Sequence, residues 1–222
     1  MQIPLTRIQK LIGERMSQSK RTMPCFYIES KADVTELMAI RPKLRKSLGV
    51  KVTTNAFYIH ALALAVRQFP LMAGKPFGNN IKSAERVNVG FAVNAPQGLV
   101  VPVVKDADTK TLTEIAREEK LLTDLARDNQ LALADMEGET VALSNLGIYG
   151  IDSFLGIVPP PASAILAVGN VVPTIVHGDN EFTARKILSM SLAVDNRIID
   201  EPYAAKFLCF IKEQLQNPQQ LV

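Results

Sequence analysis

Ser191–Leu208 reads SLAVDNRIIDEPYAAKFL, and the order of its parts sets the kind of fold the chain adopts. An apolar, strand-like run (ARKILSMSLAVD, ending at Asp195) meets a polar turn. A helix pattern, YAAKFLCFIKEQLQ, follows, with Pro202 near its first turn, where a missing N–H costs nothing. A strand that turns into a helix belongs to a mixed α/β architecture, and turns of this kind are common places to display functional side chains.

Working back from this corner, SAILAVGNVVPTIV is an apolar strand and VHGDNEF the hairpin turn that joins it to the strand ending at Asp195. Three consecutive prolines, 159–161, forbid helix just before it. TVALSNLGIYGIDSF is a strand that breaks into glycines at Gly147 and Gly150, and TLTEIAREEKLLTDLARDNQL spaces Leu112, Ile115, Leu122 and Leu125 as a surface amphipathic helix does. RVNVGFAVNAPQGLVVPVVKDAD reads as two strands joined through Pro96-Gln97-Gly98, and MAGKPFGNN as a loop.

Towards the N-terminus, Thr54–Gln68 is a buried helix ended by Phe69-Pro70. A helix starting at Asp33 carries Leu37, Ile40, Leu44 and Leu48 on one face, with Pro42 expected to bend or interrupt it. CFYIESKADV favours a strand, and Ile8, Leu11, Ile12 and Met16 mark an opening amphipathic helix. There is no internal repeat and no linker, so residues 1–222 are expected to form one mixed α/β (α+β) domain, with the arm and helix of residues 1–21 included.

Composition narrows the function. Twenty-five Lys and Arg against 22 Asp and Glu leave a net charge of +3, without a block of like charge, which gives no footprint for nucleic acid or a membrane surface. The longest apolar run, Ala56–Val66, is about half the ~20 residues a bilayer span needs. Two cysteines, Cys25 and Cys209, and two histidines, His60 and His177, offer no metal-ligand spacing, and the scarcity of Cys fits a reducing compartment. No metal is expected. Gly147, Gly150 and Gly156 form no phosphate-binding fingerprint.

Read alone, Ser144-Asn145 is a turn sequence, Asp200 a helix N-cap, Arg7 and Arg197 solvated charges, His60 a core imidazole and His177 a hairpin residue. Four segments in register change that reading. IPLTRIQKLIGERM, NVGFAVNAPQGLVVPVVKDAD, LSNLGIYGIDSFLGIVPPPASAILAVG and DNRIIDE together make the chain similar to the catalytic core domain of the dihydrolipoyl acyltransferases of 2-oxo acid dehydrogenase complexes, relatives of chloramphenicol acetyltransferase. The resemblance implies a trimer-forming fold with an active site built across a subunit boundary, assembled as a homotrimer or a larger cage of trimers. Phe207, Phe210, Ile211 and Leu221 are then expected to supply contacts between copies. It also implies acyl transfer from a dihydrolipoyl group, carried on another domain or chain, to coenzyme A. The partners are lipoyl domains and other components of the complex, and the compartment is the cytoplasm, or the mitochondrial matrix in a eukaryote. No lipoyl or subunit-binding domain is recognised within the chain.

In that family a histidine of the closing motif is the general base on the coenzyme A thiol, a hydroxyl of the Ser-Asn-Leu-Gly strand stabilises the oxyanion, and the motif's aspartate pairs with an arginine. Here the matching residues are Asn196, Ser144 and Asp200, and Glu201 stands at the family's glycine. An amide does not titrate near neutral pH, so Asn196 orients but accepts no proton, a loss of about 10²- to 10⁴-fold in rate. A thiol is a few per cent thiolate without help, which leaves room for slow transfer. Glycine at 201 suggests a positive φ or a close approach that Glu201 resists. The chain thus reads as a weakened or silent acyltransferase core that serves mainly in assembly. A fully active acyltransferase and a stand-alone one with another acceptor are the alternatives.

Overall fold

The computed structural model describes residues 2–178 and 181–222. Its elements are α1 (Arg7–Thr22), β1 (Cys25–Asp33), α2 (Thr35–Leu48), α3 (Thr54–Gln68), β2 (Lys75–Phe77), β3 (Asn80–Lys82), β4 (Val89–Phe91), β5 (Val93–Ala95), β6 (Gly98–Val100), β7 (Val103–Val104), α4 (Leu112–Arg127), β8 (Val141–Asn145), β9 (Ala164–Gly178), β10 (Glu181–Asp195) and α5 (Glu201–Gln216). Six strands form one sheet in the order β1-β10-β9-β8-β4-β7, while β2-β3 and β5-β6 are separate hairpins. The β9–β8 and β8–β4 pairs are parallel and the others in the main sheet antiparallel, so the sheet is mixed.

Side-chain alternation assigns the two faces of the sheet. Leu143, Leu166, Leu192 and Val194 join the main core, where α3 is buried almost all round through Phe57, Ile59, Leu62 and Val66 and packs against α4 and α5. Ala142, Ile165 and Ala193 belong to a smaller cluster on the opposite face, covered by Val158 and Ala162 of the coil after β8 and by Met23 and Tyr27. Local signals explain the helix starts. Thr111 and Glu114 make a capping box for α4, and Thr53 caps α3 through the Ala56 N–H.

Four expectations change. MAGKPFGNN is not a plain loop: Lys75–Phe77 and Asn80–Lys82 pair as a short hairpin. The central segment holds four short strands rather than two, because the chain leaves the main sheet after β4, makes the β5–β6 hairpin over Pro96-Gln97, and re-enters as β7. Of the bend or interruption expected at Pro42, the interruption does not occur: α2 runs through it from Thr35 to Leu48, with the ring on the exposed side of the helix. Phe207, Ile211 and Leu221 are at most 2% exposed within the chain, so they are core and not free for contacts between copies. The expected hairpin tip at 179–180 lies outside the described residues.

The exposed apolar side chains sit elsewhere. Ile148, Tyr149 and Leu155 after β8, Leu11 of α1, and Ile3 and Leu5 ahead of it are all more than half exposed. Two charged side chains tether helix α1: the Arg15 guanidinium, which donates to the buried Glu139 carboxylate at 2.5 Å and to the Pro160 carbonyl, and Lys20, whose Nζ donates to the Tyr27 hydroxyl at 3.2 Å. The coil after β8 is pressed onto β9. Asn170 donates to the Ile151 carbonyl at 2.7 Å, and a Cβ on Gly169 would stand 1.9 Å from the Asp152 carbonyl oxygen. Because that oxygen is backbone, the clash has no cheap relief. Gly169→Ala is expected to cost about 3 kcal/mol, about 6–12 °C in melting temperature for a chain of this size. Circular dichroism melting checks it, and a shift within about 2 °C would mean that the coil lifts off β9 freely.

Candidate active site

The end of β10 is fixed by a buried carboxylate. Asp195 is 1% exposed, and its oxygens accept from the Arg197 backbone N–H at 3.1 Å, Nε at 2.8 Å and Nη2 at 2.5 Å. Its backbone N–H donates to the Ser163 carbonyl at 3.0 Å, and its own carbonyl accepts from Ile198 and Ile199 at 3.2 Å. The bond to Asp195 raises the Arg197 pKa further, so the guanidinium stays charged. Arg197, expected to be a plain solvated charge, is therefore the clamp of this turn. Asn196 sits exposed at its apex with its N–H bonded to the Pro24 carbonyl at 3.0 Å, and among the described residues its carboxamide has no hydrogen-bond partner.

Asp200 caps α5, its Oδ1 accepting from the Tyr203 N–H at 2.9 Å, as the N-cap reading expects. Among the described residues it makes no ion pair, and the aspartate–arginine contact that holds the turn comes from Asp195 instead. Sequence reasoning passed over Asp195; its signal was the Asp-x-Arg spacing at the end of an apolar strand. Glu201 is the first residue of α5 and has no positive φ, so a side chain is accommodated where the family has glycine, and an acidic residue suits a helix N-terminus.

Ser144 lies on the other side of the sheet's middle. It follows Ala142 on the face opposite the main core and lines a cleft of about 250 Å³ with Ala142, Ile165, Leu155, Ile157 and Met16 among its walls. The outer wall is held by Ser191, whose hydroxyl donates to the Phe154 carbonyl at 2.5 Å. In the ladder Ser144 stands beside Ala167 and Ala167 beside Ser191. Asn196 comes five residues after Ser191 and two strands away from Ser144, which is roughly 16 Å along the strands and about 10 Å across them. A base and an oxyanion donor act within a few ångströms of one reacting carbon. One chain does not bring Ser144 and Asn196 together.

Other candidates fall away on geometry. His177 is ten residues beyond Ala167 along β9, about 33 Å from the Ser144 row, edge-on to Phe182. His60 is buried in α3 with Nδ1 unpartnered, and burial, followed by Arg67, lowers its pKa, so the imidazole stays neutral. Cys25 lies beside Asp195, and burial and that carboxylate push its thiol up, away from a reactive thiolate. Cys209 is exposed. No group of His, Cys, Asp and Glu among the described residues has the arrangement of a metal site. A second cleft, about 400 Å³, lies beside Asn145 on the α3 side and carries Arg41, Lys186, Thr54 and Tyr58, with the Arg41 Nε buried and unpartnered.

This geometry has close counterparts. The chain is 36% identical to the dihydrolipoyllysine-residue acetyltransferase component 3 of the Arabidopsis thaliana pyruvate dehydrogenase complex, and 32% identical to the Mus musculus pyruvate dehydrogenase protein X component. Each match covers 99% of this chain but only 42% and 45% of those proteins, so the chain spans less than half their length. Among solved structures, the Azotobacter vinelandii dihydrolipoamide acetyltransferase superposes with a TM-score of 0.94 at 30% identity, over all of this chain and 93% of that one. That structure was studied for the roles of a serine, a histidine and an asparagine in its catalytic mechanism. The cubic core of the pyruvate dehydrogenase multienzyme complex superposes equally well. Chloramphenicol acetyltransferase, at 12% identity and a TM-score of 0.54, shares the fold. Over residues 1–222 the sequence matches the family model of the 2-oxoacid dehydrogenases acyltransferase catalytic domain, and the chain belongs to that family.

Proposed function

We propose that the chain is the core domain of a dihydrolipoyl acyltransferase-type subunit, in which each site takes Ser144 from one copy and the Asn196 turn from another. The observation that carries this is the separation of the two along and across the sheet, since neither side chain reaches the other's partner in one chain. In the reaction, the coenzyme A sulfur bonds to the acyl carbon, the bond from that carbon to the dihydrolipoyl sulfur breaks, and the thiol proton passes from the first sulfur to the second. Ser144 donates to the oxyanion formed between these events. Asn196 lines the path of the proton without taking it, so transfer is slow and the domain serves mainly as an oligomeric core. The full acyltransferase and the stand-alone enzyme remain the alternatives to this reading, and a rapid turnover of the parent protein would favour them.

Two features support an arrangement of several copies. The apolar side chains exposed on α1 and after β8 are too many for a solvated surface, and one of them, Leu155, lines the Ser144 cleft. The Arg41–Lys186 cleft offers unpaired donors to an anion, which suits the phosphates of coenzyme A at the end of β8. The compartment in this reading is the cytoplasm or the mitochondrial matrix, where such complexes meet their lipoyl domains.

Sedimentation velocity at micromolar concentration is expected to give a trimer or a multiple of one; a stable monomer would remove the shared site. A second measurement addresses the base. Because the Glu201 backbone is ordinary helix, Asn196→His alone is expected to raise acetyl transfer from acetyl-dihydrolipoamide to coenzyme A by at least about tenfold, part of the 10²- to 10⁴-fold of a good base. Adding Ser144→Ala removes most of the gain. An Asn196→His protein that assembles and binds coenzyme A but stays as slow as its parent would leave assembly as the whole function.

A further inference from the structure

We infer that Asn55 is a positioning residue for the acyl transfer: through Asn145 it holds the stretch of β8 that carries the Ser144 hydroxyl. The inference rests on the acyltransferase reading above and adds a residue to its machinery. Ser144 stands where the sheet parts. The ladder from β8 to β4 ends at Leu143, whose carbonyl accepts from the Ala92 N–H at 3.0 Å, because the chain leaves β4 there for the β5–β6 hairpin. On the other side Ser144 and Asn145 still pair with Ala167 and Val168 of β9. The oxyanion donor therefore sits on a strand end with a strand neighbour on one side. A working group must be held within about 0.5 Å of its place, so what stands in for the missing neighbour decides how well the hydroxyl can act.

The stand-in is a pair of carboxamides. Side chains alternate along β8, so Asn145 points to the α3 side while Ser144 faces its cleft. Asn145 Nδ2 donates to Asn55 Oδ1 at 2.8 Å, and Asn145 Oδ1 accepts from the Gly147 N–H at 2.9 Å, so both ends of its carboxamide are used. Asn55 is a firm anchor because it lies in the first turn of α3. The cap of that helix, Thr53, accepts from the Ala56 N–H at 3.0 Å and donates to the buried Glu119 carboxyl of α4 at 3.1 Å. Beyond Asn145 the chain has no slack, since a Cβ on Gly147 would lie 2.2 Å from the Gly169 carbonyl oxygen of β9. Without the Asn55 acceptor the Asn145 carboxamide is free to turn, and it loses its grip on Gly147 and on the strand end before it.

Hydrogen exchange on the assembled protein tests the contact without turnover. Asn55→Ala is expected to speed exchange of the Gly147 N–H by at least about tenfold, and Asn55→Asp, which keeps the acceptor, by less than about threefold. Unchanged exchange in Asn55→Ala would overturn the inference whether or not the protein turns over. Kinetics test the role. In the Asn196→His protein, Asn55→Ala is expected to lower kcat for acetyl transfer to coenzyme A at least about tenfold with both KM values within about twofold, and Asn55→Asp to keep at least about half of the rate. With Ser144→Ala already present, Asn55→Ala is expected to change kcat by less than about twofold, since the group it positions is gone. A loss as large without the hydroxyl as with it would make Asn55 a structural residue only and overturn the inference. An Asn196→His protein that transfers no acetyl group counts instead against the acyltransferase reading, and the exchange result then decides the Asn55 contact by itself.

Discussion

The end of β10 depends on giving one buried carboxylate its hydrogen-bond partners. Asp195 is almost fully buried between β1, the Ser163 backbone and the turn to α5. A buried carboxylate without partners costs several kcal/mol. Arg197 meets that cost with backbone and guanidinium donors, which fixes two successive backbone positions on either side of Asn196. The turn therefore keeps its shape whatever side chain occupies its apex. This is why the side chain at position 196 can differ while the turn around it stays ordered. It is also why a single substitution there is a meaningful test of chemistry.

The same sheet is the basis for proposing a site shared between copies. Ser144 and Ser191 share a row and a face, and the coil after β8 is anchored to that face by Ser191 and by the close approach of Gly169 to Asp152. There the Ser144 hydroxyl lines a cleft whose other side chains are apolar, and the end of β10 presents the Asn196 carboxamide at an exposed turn. The two halves lie apart along strands whose register is set by burial on both faces and does not slip.

Much of this was legible in the sequence where local physics decides. Helices α3 and α4 and strand β1 were readable from period and capping, because Thr111 and Glu114 satisfy each other's backbone whatever lies around them. Asp200 was readable as an N-cap for the same reason. Strands of two or three residues such as β2, β3 and β7 show no period and were missed. The exposed face of Pro42 was invisible, since a helix pattern does not say which side meets water. The Phe207, Ile211 and Leu221 pattern announced burial but not the partner, which turned out to be the chain itself. Arg197 looked solvated because an ion pair two residues apart exists only once the strand end bends. The separation of Ser144 from Asn196 follows from strand order and register, which no local signal carries.

The measurement that bears most directly on a site shared between copies is subunit mixing. One protein carries Asn196→His with Ser144→Ala, and the other keeps Ser144 and Asn196; each alone lacks either the oxyanion donor or the base. Co-assembled in equal amounts from a common denatured pool, the two are predicted to transfer acetyl groups to coenzyme A about a quarter as fast as the Asn196→His protein, at least roughly two- to threefold faster than either assembled alone, because at about one site in four a new histidine of one copy faces Ser144 of another. Mixed oligomers that form, as shown by differential tagging, yet stay no faster than their parents, while the Asn196→His protein by itself is fast, would place both groups in a single chain and contradict the account.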